Sequence, residues 1–187
     1  VIQTSSSHEP FEVPYTNPRF AGDPKKNAFA YADSCLMAFT DGLRQQPEWN
    51  NTLMVIVPDH LGAWPKDLPD AEKRHHVPLV MAGGALNASG IVIDTPGSQN
   101  DIAATLLGML GMEHSGFDFS HDMLDPSAPH YGMFTEPSLA GIVTANDTVD
   151  INCDSGEIVK AKGPCADRRA REIKALLQTL YDTIDKL

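Results

Sequence analysis

The chain has 187 residues, 42% of them hydrophobic, which is enough to bury one good core. Its 25 acidic residues outnumber its 14 basic residues, and the net charge of −11 disfavours a surface for nucleic acid or for an anionic membrane. No apolar run approaches the roughly 20 residues that cross a bilayer, and the first residues lack the basic segment of a signal peptide. Because the chain begins without methionine, in a segment typical of a strand, we expect its start to be a cut through a longer protein.

The first predicted elements are a short strand and a long amphipathic helix. Residues Val1 to Ser6 alternate weakly and predict a strand that runs into a turn-rich loop. Asp23 followed by Pro24 is typical of a helix start, with aspartate as the cap and proline in the first turn. Apolar residues then recur at steps of three and four, at Phe29, Ala32, Leu36, Phe39 and Leu43. This spacing predicts a helix from Pro24 to about Gln46 that ends before Pro47.

The segment from Asn51 to His60 carries the clearest strand signal. Five consecutive apolar residues, Leu53 to Val57, predict a strand covered on both faces, as in a largely parallel sheet. Pro58 cannot donate to a neighbouring strand and should end the pairing. Asp59 and His60 would then lie at the carboxyl end of the strand, where ligands bind in open α/β sheets.

Asp59 and His60 are candidate metal ligands. A carboxylate oxygen and an imidazole nitrogen form a donor pair that suits Zn²⁺ or Mn²⁺ better than Ca²⁺, although a complete site needs further ligands. The alternative is that Asp59 caps the turn after the strand and that His60 is a solvated side chain. Two adjacent residues alone do not decide between these interpretations.

A loop and two more strands are predicted next. The loop runs from Leu61 to about His76 and leads into an apolar strand, Val77 to Met81, which stops at Gly83 and Gly84. A third short strand is predicted at Ile91 to Ile93. The order strand, helix, strand favours a right-handed βαβ arrangement with the long helix against the sheet.

A second helix is predicted from a capping motif and from helical spacing. Ser98 and Asp101 have the spacing of a capping box, with aspartate in place of the usual glutamate. Apolar residues continue at helical spacing up to Gly111, at Ile102, Leu106, Leu107 and Leu110. We expect this helix to be short and mostly buried.

The last third of the chain is predicted to contain antiparallel strands and a closing helix. The strand candidates are Tyr131 to Phe134, Gly141 to Thr144, Val149 to Ile151 and Glu157 to Val159. Residues Ala166 to Leu187 have one apolar face and predict a helix. Its basic residues, including Arg168 and Arg169, lie mostly in its first half, where the helix dipole disfavours cations. We favour solvation or pairing with carboxylates over an anion site.

The three cysteines form no metal motif, since no C-x-x-C is present. Cys35 lies in the helical pattern and is expected to be packed. Cys153 and Cys165 flank a polar, turn-like segment, and a bridge between them would contribute about 3 kcal/mol in an oxidising compartment. The sequence leaves the bridged and the free state open.

Five motifs in order resemble the sulfatase-like branch of the alkaline phosphatase superfamily. They are S-H-E-P-F, a helix with Y-A-D, N-T-L-M-V-I-V-P-D-H, H-H-V-P-L-V-M-A-G-G and S-Q-N-D-I-A-A-T-L-L-G-M-L-G. Within that branch, the chain looks most like the C-terminal part of the catalytic domain of lipoteichoic acid synthases and related phosphoglycerol transferases. The similarity covers roughly residues 1 to 125. One departure is Ala104, where the family has proline.

The resemblance implies an alkaline-phosphatase-like α/β fold, with a largely parallel sheet flanked by helices and a small antiparallel C-terminal extension. Residues 1–187 would be the C-terminal part of one sulfatase-like catalytic domain, with 1–125 in its α/β core and 126–187 as antiparallel strands plus the terminal helix. The domain would be incomplete. The family's nucleophile, a Thr, Ser or modified Cys, lies upstream with a further acidic metal ligand, and residues 4–7 do not match that motif.

The resemblance also implies roles for single residues. Asp59 and His60 match the family's Asp-His metal pair, which follows a core strand. His8, in S-H-E-P-F, matches a histidine that lines the substrate site, where it would be both catalytic and substrate-binding by hydrogen bonding a phosphate or leaving-group oxygen. The alternative for His8 is a loop residue that fixes its own turn.

His75 and His76 precede V-P-L, where relatives often carry a polar residue that faces the site. Because adjacent side chains on an extended segment point in opposite directions, only one should face inward. We prefer His76 as the catalytic group, with His75 as a substrate-binding candidate. The other histidines have no motif around them and are interpreted as surface or satisfied core residues: His114, His121 and His130.

For the complete protein, the resemblance implies a metal-dependent transferase or hydrolase of phosphate or sulfate esters. A phosphoglycerol or phospho-group transferase or phosphodiesterase is favoured; the alternatives are a sulfatase and a non-catalytic binding module.

The cofactor would be a divalent metal, Mn²⁺, Zn²⁺ or Mg²⁺, or Ca²⁺ in a true sulfatase. The partners would be a small-molecule or lipid-linked ester and the remaining N-terminal half, with no nucleic acid. Relatives are extracytoplasmic, in the periplasm or at the cell surface, and an upstream anchor would give the only membrane contact. The present chain alone is expected to be inactive.

Overall fold

A computed structural model describes residues 1–61 and 67–186 of the chain. The residues form two compact units, Val1–Trp64 with Val77–Ile91 and Pro65–His76 with Val92–Leu187. The first unit contains the long helix and the strand that precedes Asp59. The second unit contains the antiparallel sheet and the closing helix.

The main helix of the first unit, α1 (Pro24–Arg44), forms where the sequence predicts it. The Asp23 side chain accepts a hydrogen bond from the Lys26 backbone N–H at 3.1 Å, and Pro24 occupies the first helical position. The helix ends three residues before Pro47, which opens a short 3₁₀ turn, Pro47–Asn51. Only Ala28 of α1 is buried, and Cys35 is exposed, so the predicted packing of Cys35 is wrong.

The two strands of the first unit are β1 (Met54–Ile56) and β2 (Val80–Ala82), which pair antiparallel with Met54 opposite Ala82. All strand pairs in the described part of the chain are antiparallel, so the predicted parallel sheet is not confirmed. A parallel pair needs a connection, usually an α-helix, that returns the chain to the opposite end of the sheet. The described part of the link between β1 and β2 contains only a helix of one turn, Ala71–Arg74.

The expected full burial of β1 is also not found, because a sheet of two strands leaves much of each strand uncovered. All three β1 residues are half-buried, and Val57 is 37% exposed. The predicted end of this strand at Gly83 is confirmed, since β2 ends at Ala82. Gly83 has φ +143, and a Cβ there would collide with the Thr52 carbonyl, so this close backbone approach requires glycine.

Two predicted strands do not form. Residues 1–6 and 91–93 carry no strand structure, and Ile91, Val92 and Ile93 are all exposed. Apolar β-branched residues become a strand only when a neighbouring strand accepts their backbone hydrogen bonds. Neither segment has such a neighbour among the described residues.

The second unit is built on four antiparallel strands in the order β3, β4, β5 and β6. Their bounds are Gly132–Glu136, Leu139–Val143, Thr148–Asn152 and Ile158–Lys162. The final helix, α4 (Ala166–Ile184), contacts β4, β5 and β6. The core between them is formed by Ala140, Ile142, Val149, Ile151, Ala170 and Ile173. These elements confirm the predicted antiparallel extension and closing helix, although Leu187 lies outside the described residues.

Two shorter helices belong to this unit. The first, α2 (Ala71–Arg74), lies inside the predicted loop 61–76, of which residues 62–66 fall outside the described part. The second, α3 (Asp101–Met109), ends before Gly111, whose φ is +66. Half of the predicted capping box is present, since the Ser98 N–H donates to the Asp101 carboxylate at 2.7 Å.

The basic first half of α4 pairs with carboxylates, as expected. Arg169 Nε donates to the buried Asp147 at 3.0 Å, and Arg168 Nε donates to Glu172 at 2.9 Å. Cys153 and Cys165 are both free, so the bridge that the sequence left open does not form. No helix within the described ranges is long and apolar enough to span a membrane.

Candidate functional site

Asp59 and His60 lie together at the end of β1, where Pro58 stops the strand. The His60 Nε2 and Asp59 Oδ2 atoms are 3.4 Å apart, and the His60 backbone N–H donates to Asp59 Oδ1 at 2.9 Å. The second contact is the turn-capping bond of the alternative interpretation. It leaves Oδ2 beside the imidazole, so the structure brings a carboxylate oxygen and a ring nitrogen to one place.

These donors fit a divalent metal in kind but supply only part of its coordination. Oxygen and nitrogen ligands suit Zn²⁺ and Mn²⁺, which normally take four or more ligands. Within residues 1–61 and 67–186, no group of three or more His, Cys, Asp or Glu side chains is placed to hold a metal. Asp59 and His60, whose side chains are 83% and 63% exposed, would therefore provide part of a shared site.

His8 lies in a tight turn that its own contacts stabilise. Its N–H donates to the Ser5 carbonyl at 3.0 Å, and its carbonyl accepts from the Phe11 N–H at 2.9 Å. Its Nδ1 lies 2.9 Å from the Glu9 carbonyl and must donate to it, because a carbonyl only accepts. In the neutral ring this assigns Nε2 as the acceptor. His8 thus fixes its own turn, as the alternative expects, and keeps one ring nitrogen for other contacts.

His75 and His76 follow α2. His75 caps this helix with φ −101 and ψ −3, so the extended segment expected at the histidine pair is wrong at His75, and the opposite directions expected for the two side chains do not follow. His75 Nε2 lies 3.3 Å from Glu136 Oε1, and its ring stacks on Phe134 with centroids 4.8 Å apart and planes 11° apart. Both histidines are exposed as whole residues. Both contacts of the His75 ring are therefore with residues of β3.

A charged cluster between α2 and the sheet was not foreseen from the sequence. Arg74 and His75 bind Glu136, and the pKa of Glu136 is lowered, first by the Arg74 hydrogen bonds. Lys160 on β6 donates to Asp70 at 2.7 Å and to Glu72 at 2.8 Å. Hydrogen bonds from Lys160, then Lys73, lower the pKa of Asp70 to about 2.

Asp150 on β5 is a buried carboxylate close to this charged cluster. It is 3% exposed, and its Oδ1 has no hydrogen-bond partner. Burial raises the pKa of Asp150, and the Glu72 carboxylate raises it further. Charged residues inside strand patterns, such as Glu136, Asp150 and Lys160, were the sequence signal that could have revealed the cluster.

Two of the remaining histidines, His121 and His130, have local contacts of their rings. His121 Nδ1 lies 3.4 Å from the buried Asp101 carboxylate, and its ring packs edge-on against Tyr131 at 5.4 Å. His130 Nε2 lies 3.0 Å from the Asp125 carbonyl. A cleft of about 890 Å³ in the second unit is lined largely by apolar side chains of α3, β3 and α4, and none of the predicted site residues lines it.

Two comparisons with known proteins bear on this arrangement. The family model described as Sulfatase matches residues 1–112, which include Asp59, His60 and all three other predicted site histidines. A crystal structure of a protein in the alkaline phosphatase superfamily from Vibrio parahaemolyticus is similar to this chain, with a TM-score of 0.78 and 19% sequence identity. The similarity covers 96% of this chain and 48% of that one, so this chain spans about half the length of that structure. The fold is alkaline-phosphatase-like α/β.

Proposed function

The chain belongs to the sulfatase family, and from this premise we propose that it is the C-terminal portion of a metal-dependent enzyme that transfers or hydrolyses a phosphate ester, of the phosphoglycerol transferase type. The observation that carries the proposal is the contact between Asp59 and His60 at the end of β1, inside the matched segment. A carboxylate and an imidazole side by side are donors of the kind such enzymes need.

The roles of the residues follow from their atoms. Asp59 Oδ2 and His60 Nε2 would hold the divalent metal, whose charge, when bound, would stabilise negative charge on the ester oxygens. His8 would use Nε2 to hydrogen bond a phosphate or leaving-group oxygen, because its Nδ1 is bound to the Glu9 carbonyl. His76 is proposed as the second group that hydrogen bonds the leaving group.

The proposed partners are a small-molecule or lipid-linked ester and a further polypeptide segment that carries the nucleophile. Two observations support the second partner. The chain spans about half the length of the Vibrio parahaemolyticus structure. In α1, Leu36 and Phe39 are 37% and 47% exposed, although their spacing of three residues is that of a packed helix face. An extracytoplasmic location with an upstream membrane anchor is part of the same proposal.

A sulfatase that acts on sulfate esters is the second candidate, because the matching family model carries that description. The deciding experiment compares turnover of a phosphodiester and of an aryl sulfate by the complete protein with Mn²⁺, Zn²⁺, Mg²⁺ or Ca²⁺. We expect phosphodiester turnover that Asp59→Ala abolishes. Turnover of the sulfate ester alone would favour the sulfatase, and metal binding without any turnover would favour a binding module.

The matched control is the 187-residue chain by itself, which we expect to be inactive. A measurable phosphodiesterase rate from this chain would contradict the proposal that its nucleophile lies on another segment.

A further inference from the structure

Phe11, three residues after His8, has a backbone conformation that is rare for its residue type. Its φ is +63, and in the part of the chain that the structure describes it is the only residue other than glycine with a positive φ. This left-handed conformation is strained for a bulky side chain, because Cβ comes too close to a backbone oxygen. Such strain persists only where neighbouring contacts hold the backbone, and it clusters at functional sites. The contacts of Phe11 all lie within the first unit.

The Phe11 ring is held against the first half of α1. It meets the Phe29 ring edge-on, with the ring centroids 6.4 Å apart and the ring planes at 71°. The Lys25 Nζ atom lies 5.2 Å from the centroid of the Phe11 ring, which is a cation–π contact. Phe11 is half-buried by its surroundings. One helix therefore binds the ring of the strained residue through two side chains.

The loop after Phe11 is bound to the same helix. Asn27 Nδ2 donates to the Tyr15 carbonyl at 3.0 Å, and the Asn17 backbone N–H donates to Asn27 Oδ1 at 2.7 Å. The chain is thus attached to α1 both at Phe11 and at residues 15–17. These attachments give the turn before Phe11 a fixed point from which it is built.

The backbone of Phe11 closes the turn that carries His8. Its N–H donates to the His8 carbonyl at 2.9 Å, and the His8 N–H donates to the Ser5 carbonyl at 3.0 Å. Within the same turn, His8 Nδ1 donates to the Glu9 carbonyl at 2.9 Å. These three bonds hold both the backbone and the ring of His8, and they leave Nε2 as the ring nitrogen that can contact a substrate.

We propose that Phe11 is the positioning residue of His8: the docking of its ring on α1 keeps its backbone left-handed, so that its N–H closes the turn that presents His8 Nε2 to the substrate ester. The inference rests on the proposed function, since it requires an ester that His8 contacts. Phe11 acts through the turn and does not itself touch the substrate.

The kinetic test uses the complete protein and a phosphodiester substrate. We expect His8→Asn to lower kcat by about 10²-fold or more, since removing a general acid or base costs that much. Phe11→Ala should lower kcat about tenfold with a smaller change in KM, because a misplaced catalytic group loses rate steeply with distance. The control Tyr181→Ala, which removes a 61% exposed aromatic ring from α4, should leave kcat unchanged.

A glycine at the same position separates backbone conformation from packing. Glycine adopts a positive φ without steric strain, so Phe11→Gly should retain more of kcat than Phe11→Ala, although it removes more of the side chain. A role limited to packing predicts the reverse order. If Phe11 acts through His8, Phe11→Ala should cause no further loss in the His8→Asn background. A larger loss in Phe11→Gly than in Phe11→Ala, or a further tenfold loss in the double variant, would overturn the inference.

A measurement that needs no turnover distinguishes failure of this inference from failure of the proposed function. In the NMR spectrum of the complete protein with labelled histidine, neutral His8 should carry its proton on Nδ1, because this atom donates to the Glu9 carbonyl. Phe11→Ala should reduce this form, Phe11→Gly should keep more of it, and Tyr181→Ala should leave it unchanged. An unaltered His8 signal in Phe11→Ala would overturn the positioning role, even if the wild-type protein proved inactive on every ester.

Discussion

The Nε2 atom of His60 lies 3.4 Å from the Oδ2 atom of Asp59, at the point where β1 ends. The two side chains therefore contact each other. A cation that binds both atoms must replace that contact, and its ligands must be deprotonated. Metal affinity should therefore fall as the pH is lowered, and a pH series of metal titrations would measure this.

The face of the sheet below α2 has no room at Gly141. A Cβ there would collide with the Phe134 ring and would lie 2.6 Å from Asp150 Oδ1. We expect Gly141→Ala to lower the free energy of unfolding by about 1–3 kcal/mol, the usual cost of overpacking. Urea denaturation would measure it. The control is Gly42→Ala in α1, where nothing lies within 4 Å and the helix should be stabilised by about 0.5–1 kcal/mol. Equal effects of both substitutions would contradict this account.

The core of the second unit depends on Ile173, which is fully buried against the sheet. Ile173→Ala should lower the free energy of unfolding by about 2–5 kcal/mol, because it removes buried methyl groups and leaves a cavity. Ile184→Ala on the same helix should cost much less, since Ile184 is 53% exposed. Thermal or urea unfolding of both variants tests the comparison. A loss at Ile184 as large as that at Ile173 would show that α4 packs differently.

The buried carboxyl of Asp150 predicts a specific pH dependence. Burial, and then Glu72, raise the pKa of Asp150 above its ordinary value of 3.8, while Lys160 lowers it. The folded state thus holds this proton more tightly than the unfolded state does. Its contribution to stability is complete below the unfolded pKa and is lost as the pH rises through the folded pKa.

Asp150→Asn cannot ionise and should remove this part of the pH dependence. Between about pH 4 and pH 8, its free energy of unfolding should decrease less, or rise more, than that of the wild type. Asp154→Asn, at an exposed position, is the control and should follow the wild-type curve. Parallel curves for Asp150→Asn and the wild type would mean that Asp150 is ionised in the folded protein.

Elements set by local chemistry were predictable from the sequence. The bounds of α1 follow from Asp23 and Pro24 at its start and from Pro47, which lies three residues beyond its end. The strands β3 to β6 follow from alternation and turns, and the helix α4 follows from helical spacing. Most predicted ends of these strands differ from the observed ends by one or two residues. These signals act over a few residues and need no knowledge of the rest of the fold.

Choices that depend on distant partners were not predictable. The direction of β2 relative to β1 is fixed by a neighbour 24 or more residues away, and Ile91–Ile93 lacks any strand to pair with in the described part of the chain. The same limit applies to the site. Asp59 and His60 are adjacent in sequence, so their proximity could be anticipated, whereas the Glu136 carboxylate that binds His75 is 61 residues away.

The most direct test of the central claim is calorimetric titration of the 187-residue chain with Mn²⁺ or Zn²⁺. We expect weak binding of one metal ion, since Asp59 and His60 supply only part of a coordination shell. Asp59→Asn and His60→Gln should each weaken binding by at least about tenfold, because even changes in residues behind the ligands cost that much. His114→Gln should leave the affinity unchanged. Unaltered affinity in both the Asp59 and the His60 variants would contradict the account.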